Sequence, residues 1–148
     1  MTRILFVCHG NICRSPMAEY VMKKIVKDRG LSDLFLIASA ATSTEEIGNS
    51  IYPPAKAELR RRGVPFEERS ARQVTRKEYG DWDYFVCMDE YNYKNLIRIF
   101  SGDAENKILM LLPGRSISDP WYTDDFGRAF SDIEEGCGIL LNQMIECE

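Results

Sequence analysis

A cysteine and an arginine stand six positions apart in Val7-Cys8-His9-Gly10-Asn11-Ile12-Cys13-Arg14-Ser15-Pro16. Ile4, Leu5, Phe6 and Val7 read as a strand that delivers Cys8 to its carboxyl end. Ser15 and Pro16 read as a helix start, with Ser15 at the N-cap. The unpaired N–H groups of that helix face back into the loop, where successive loop amides converge on an anion. Arg14 adds a planar fork that grips two phosphate oxygens at once. Thiols near helix amino ends and cations fall from about 8.5 to roughly 3.5–7.5, so Cys8 is expected to attack phosphorus as a thiolate. Ser15 is placed to donate to that thiolate. Gly10 is expected where the loop needs a conformation closed to larger residues, and Asn11 tolerates left-handed geometry. The plainer reading is a small buried hydrophobe, the usual fate of a free cysteine. The strand before, the helix start after and the Gly10-Asn11 pair between favour the phosphate site.

Thiolate attack must expel an oxygen, and a protonated phenol leaves faster than a phenolate. Ser118-Asp119-Pro120-Trp121-Tyr122 supplies the acid. Pro120 stiffens the loop and biases Asp119 toward extended geometry. Trp121 and Tyr122 offer flat surface to an aromatic ring. Alone, this run is a plain Asp-Pro turn with two exposed aromatics; joined to the Cys8 loop, it is a general acid with cleft walls.

These groups must be positioned by alternating strands and helices. Met17, Val21, Ile25 and Ala18, Met22, Val26 form paired apolar rows, which predicts a first helix over 16–29, stopped by Gly30. A second strand is predicted over 34–38, leading to Ser39. A helix opens at Pro53-Pro54 and closes at Gly63. Strands follow over 84–88 and 108–112, with Asp89 capping the helix after the first of these. Phe126, Phe130, Ile133, Cys137, Leu140 or Leu141, and Met144 keep helical spacing as core residues of a last helix. Continuous apolar strands separated by helices predict a parallel sheet covered on both faces, an α/β fold. Right-handed crossovers bring the carboxyl ends of the strands, with Cys8 and Asp119, to one cleft. Asp81-Trp82-Asp83-Tyr84 and Tyr91-Asn92-Tyr93 read as surface or packing residues.

The 148 residues are expected to form one domain over 1–148, with a net charge of −4 that argues against nonspecific nucleic-acid or membrane binding. Met1-Thr2-Arg3 runs directly into a strand, and no apolar run reaches membrane-spanning length, so a cytoplasmic protein is expected. The five cysteines, Cys8, Cys13, Cys87, Cys137 and Cys147, are an odd count that fits free thiols in a reducing compartment. Cys87 and Cys137 are expected in the core. His9 is the sole histidine, lies inside the loop, and supplies neither a separate Cys–His pair nor a metal cluster. No Gly-Lys-Ser/Thr nucleotide loop is present.

The Cys8 loop and the Asp-Pro-aromatic run together resemble the low-molecular-weight protein tyrosine phosphatases, over essentially the whole chain. The resemblance implies a three-layer α/β/α, flavodoxin-like phosphotyrosine phosphatase I fold with a four-stranded sheet of order 2-1-3-4. It implies hydrolysis of phosphotyrosine and small aryl phosphates through a phosphocysteine on Cys8. Arg14 would bind phosphate, and Asp119 would act as acid, then as base. His9, Gly10, Asn11, Ile12, Cys13 and Arg14 would form the cradle with Ser15. Asn11, Ser15 and Ser39 match the network that fixes the loop. No metal or cofactor is implied. The partner would be a tyrosine-phosphorylated protein or peptide, with inorganic phosphate as product and inhibitor. Cys13 shares the loop with Cys8, so peroxide is expected to link the two as a reversible protective switch.

Two positions depart from the family. Glu45 aligns where an aromatic residue often walls the cleft; Glu45 and Glu46 either favour basic residues near the target tyrosine or are solvated charges. Arg69 aligns where the outer network often has histidine. A thioredoxin-coupled arsenate reductase shares the fold and a similar loop, but needs a thiol cascade. Cys87 stands near the place of a second thiol, yet Asp89 through Gly102 contains no cysteine. A phosphotyrosine-binding module without turnover would lack a nucleophile, cation or acid, and all three are present.

Overall fold

The computed structural model describes residues 1–146, so Cys147 lies outside the described residues. β1 (Thr2–Cys8) is buried from Ile4 onward, as an apolar run in the middle of a sheet must be. It pairs with β2 (Phe35–Ala41) on one side and β3 (Tyr84–Cys87) on the other, and β3 pairs with β4 (Ile108–Met110). Every pairing is parallel, and the order is β2-β1-β3-β4. β2 runs to Ala41, beyond the predicted end at Ala38, so Ser39 lies within the strand.

The pleat of β1 divides the core. Ile4, Phe6 and Cys8 join Met17, Val21, Phe130, Ile133 and Leu141 on one face. Leu5 and Val7 join Phe85, Leu96 and Ile108 on the other. Successive strand side chains point to opposite faces, so one apolar strand feeds both layers. α1 (Arg14–Asp28) and α5 (Phe126–Glu146) pack together over the first face. α2 (Pro53–Arg61) joins α5 there, and α3 (Glu90–Phe100) covers the second. The result is three layers, α/β/α. Each large apolar side chain buried this way stabilises the fold by about 1.5–3 kcal/mol. Cys87 and Cys137 are fully buried, one on each face.

α1 starts at Arg14 with Cys13 as N-cap, two residues before the predicted start at Pro16. Ser15 is therefore not the N-cap; it sits inside the first turn, where its hydroxyl is committed elsewhere. Gly30 takes φ +70° just after the helix end, the left-handed stop glycine provides at least cost. The loops after β1 and β3 leave the sheet where the strand order reverses, the usual place for an α/β ligand site. A four-residue helix, α4 (Pro120–Thr123), follows Asp119. Among the described residues, no helix is long and apolar enough to cross a membrane.

Candidate active site

β1 ends at Cys8, whose side chain is buried beneath the loop that follows. Its Sγ receives the backbone N–H of Asn11 at 3.3 Å and of Ser15 at 3.4 Å. The Ser15 hydroxyl lies 3.0 Å from the sulfur. That hydroxyl accepts from Asn11 Nδ2 at 2.7 Å, which leaves its own proton for Cys8. Donors aimed at a sulfur favour its anionic form. The loop's left-handed residue is Asn11, at φ 59°. Gly10 does not take a positive φ, against expectation; a Cβ there would come 3.2 Å from Glu46 Cγ, so a larger residue would need the Glu46 side chain to shift.

The loop is tied down by its carbonyls. Cys8 O accepts from Thr42 N at 3.0 Å, His9 O from Ser43 N at 3.1 Å and Ile12 O from Tyr52 N at 2.9 Å. Among the described residues, the backbone N–H groups of His9, Gly10, Ile12, Cys13 and Arg14 meet no protein acceptor outside regular structure. Successive unpaired N–H groups of this kind can meet an anion. Burial pushes the Cys13 thiol well up, and Cys8 and Asp119 add to the effect, so Cys13 stays protonated beside Cys8.

Arg14 is almost wholly buried. Its Nη1 donates to Asp89 Oδ2 at 2.7 Å and to Ile117 O at 2.9 Å. Its Nη2 lies 3.4 Å from Asp119 Oδ2. Burial works against its charge, but Cys8, Asp119 and Asp89 outweigh that and hold its pKa above the ordinary value. Asp89 caps α3 as expected, accepting from Asn92 N at 2.9 Å; its bond to Arg14 is the functional contact that sequence reasoning missed. The available signal was its place just after β3, on the same sheet edge as Cys8. Asp119 caps α4, with Oδ1 accepting from Trp121 N at 3.0 Å.

The cleft over Cys8 is small, about 60 Å³, with Glu45, Glu46, Asp119, Trp121 and Tyr122 in its walls. Trp121 leans on Tyr52, ring centroids 4.8 Å apart. Glu45 Oε2 lies 2.9 Å from His9 Nε2, and Glu46 accepts from Asn49 at 2.5 Å. Both wall carboxylates thus already have partners.

The outer network also closes. Ser39 Oγ donates to Glu19 Oε1 at 2.6 Å and accepts from Asn11 Nδ2 at 3.0 Å and Arg69 Nη2 at 3.3 Å. With its proton on Glu19, Ser39 only accepts from Asn11. Asn11 Oδ1 is held by Arg72 N at 3.3 Å. Arg69 therefore stands inside the network, and its Nη1 is buried without a partner. Burial lowers its pKa, opposed by Glu19; a guanidinium keeps its charge regardless. Replacing Arg69 with Met is expected to cut kcat/KM about fivefold, the scale of one lost hydrogen bond. Arg69→Lys should restore part of the loss, and an unchanged kcat/KM in the Met variant would separate Arg69 from the site.

A thiol under free amides, a buried guanidinium and a carboxylate stand together at the carboxyl edge of a small α/β sheet. The family described as low molecular weight phosphotyrosine protein phosphatase matches residues 3–147, and the chain belongs to it. It is 45% identical to the low molecular weight phosphotyrosine protein phosphatase of Sus scrofa, over 95% of this chain and 94% of that one. The crystal structure of YfkJ from Bacillus subtilis superposes with a TM-score of 0.94 at 33% identity, covering 100% of this chain and 97% of that one. The low molecular weight protein tyrosine phosphatase SP-PTP from Streptococcus pyogenes gives 0.90 at 38%, covering 97% and 93%.

Proposed function

We propose that Cys8, Arg14 and Asp119 hydrolyse phosphotyrosine in proteins and peptides, and small aryl phosphates, through a phosphocysteine. The observation that carries this is the donor set on Cys8 Sγ beneath Arg14 and Asp119. The phosphate dianion enters the cradle and takes up the Arg14 fork. Cys8 attacks phosphorus as the bond to the phenolic oxygen breaks, and Asp119 gives its proton to that oxygen. Asp119, now a carboxylate, takes a proton from water, which attacks phosphorus and returns Cys8 as thiolate. Arg14 and the amides offset charge on the equatorial oxygens throughout, so the reading needs no cofactor. Inorganic phosphate, the product, fits the same cradle and should inhibit competitively.

Tyrosine selectivity is assigned to the depth of Cys8 and the walls of Glu45, Trp121 and Tyr122. One catalytic domain over 1–148, working in the cytoplasm, completes the reading; the four described cysteines are all free thiols, as a reducing compartment keeps them. The thiol relay of an arsenate reductase is disfavoured because Cys87 packs on the face of the sheet opposite Cys8.

Phosphate release from p-nitrophenyl phosphate, with chelator and reductant present, tests the proposal. Turnover supports it; none would move the chain to phosphate binding or arsenate chemistry. Phosphoserine peptides cleaved as fast as phosphotyrosine ones would remove the selectivity.

Cys13 is the proposed redox partner. Peroxide converts the Cys8 thiolate to sulfenic acid; Cys13 sulfur then attacks that sulfur, water leaves, and a disulfide forms. Mass spectrometry of peroxide-treated protein should find the Cys8–Cys13 link, and a reductant should restore activity. Only overoxidised Cys8 would sink the switch.

A further inference from the structure

A second cleft opens beside the first on the carboxyl edge of the sheet. It holds about 580 Å³ and shares His9, Arg14, Asp119 and Tyr122 with the cleft over Cys8. A polypeptide seated by its phosphate over Cys8 has a continuous path into it. Its far wall is the first turn of α3, with Glu90 and Tyr91. Tyr91 and Tyr122 are 77% and 82% exposed, two large flat rings left open to solvent.

The charges around this mouth are unevenly committed. Arg14 is taken by Asp89 and Asp119, and His9 by Glu45. Glu46 is taken by Asn49. Among the described residues, Glu90 has no ion-pair partner, and no lysine lines either cleft. A carboxylate without an ion pair, lining the same cleft as two exposed tyrosines, attracts a cation by two independent effects. A second anion would meet Glu90, whose charge no ion pair among the described residues offsets. An apolar residue would desolvate Glu90 with nothing in return.

We propose that this cleft is a subsite for a lysine or arginine next to the phosphotyrosine of the substrate polypeptide, held by Glu90 and the faces of Tyr91 and Tyr122. The subsite rests on the phosphotyrosine reading above. It places in the second cleft a basic-residue preference that was one of two alternatives for Glu45 and Glu46 in the first.

Three phosphotyrosine peptides of otherwise identical sequence test it, carrying lysines before the tyrosine, lysines after it, or glutamates on both sides. Each kcat/KM is divided by the same variant's value on p-nitrophenyl phosphate, which is too short to reach the second cleft. The native chain should favour one lysine peptide over the glutamate peptide by about fivefold, and less at high salt. Glu90→Gln should bring the ratio near parity, Glu90→Lys should reverse it, and Tyr91→Ala should reduce it about twofold or more. Parity in the native chain, or a preference that survives both Glu90→Lys and Tyr91→Ala, would overturn the subsite. Loss of p-nitrophenyl phosphate turnover in the native chain would instead overturn the phosphatase reading beneath it.

Discussion

Cys8→Ser should abolish turnover of aryl phosphates, by about 10³-fold or more, while the protein still binds phosphate. The serine hydroxyl is a weak nucleophile without an adjacent base, and the groups hydrogen-bonded to position 8 supply none: Ser15 and the amides of Asn11 and Ser15 all donate toward it. They stabilise an anion there but remove no proton. Oxygen is also smaller than sulfur, so the donors now 3.0–3.4 Å from Sγ would stand further from the reacting atom. Acid quench during turnover of native protein should trap phosphate on Cys8, and the variant should trap none. Activity within tenfold of the native chain would mean that water attacks phosphorus directly.

Asp119→Ala should lower kcat by about 10²–10⁴ for phenyl phosphate, the range for loss of a positioned general acid. The loss should shrink for esters of more acidic phenols, which leave without a proton. KM should change little, because Arg14 keeps Asp89 and the Ile117 carbonyl when Asp119 is gone. A loss equal for all leaving groups would assign Asp119 to holding Arg14 rather than to proton transfer.

The proposed nucleophile and its cation were legible in sequence as one loop between a strand and a helix start. Asp119 was legible because Pro120 and its aromatic neighbours mark the loop. Asp89 was seen only as a cap, since its bond to Arg14 joins residues 75 positions apart and follows from β3 lying beside β1. Glu19 was not singled out in the sequence, because its bond to Ser39 depends on α1 lying over β2. Ser15 was misread as an N-cap because serine before proline is a common helix start; here its hydroxyl is spent on Cys8 and Asn11. Asn11 takes the left-handed turn expected of it, while Gly10 does not take the special conformation expected there, because a sequence does not say how many residues of a loop leave the ordinary backbone regions. The wall carboxylates show the same limit, since the partners of Glu45 and Glu46 come from loop conformation.

Arg14 is joined to Asp89, Ile117 and Asp119, so one guanidinium stitches together loops from three separate parts of the chain. A nascent polypeptide ending before β4 would carry the nucleophile and its cradle but no acid and an unfinished clamp on its arginine. Catalytic competence therefore arrives late in synthesis, after the long-range contacts have closed. The thiol meanwhile waits in an incomplete pocket, which makes the interval before the last loop docks the one in which Cys8 is most open to chemistry other than its own.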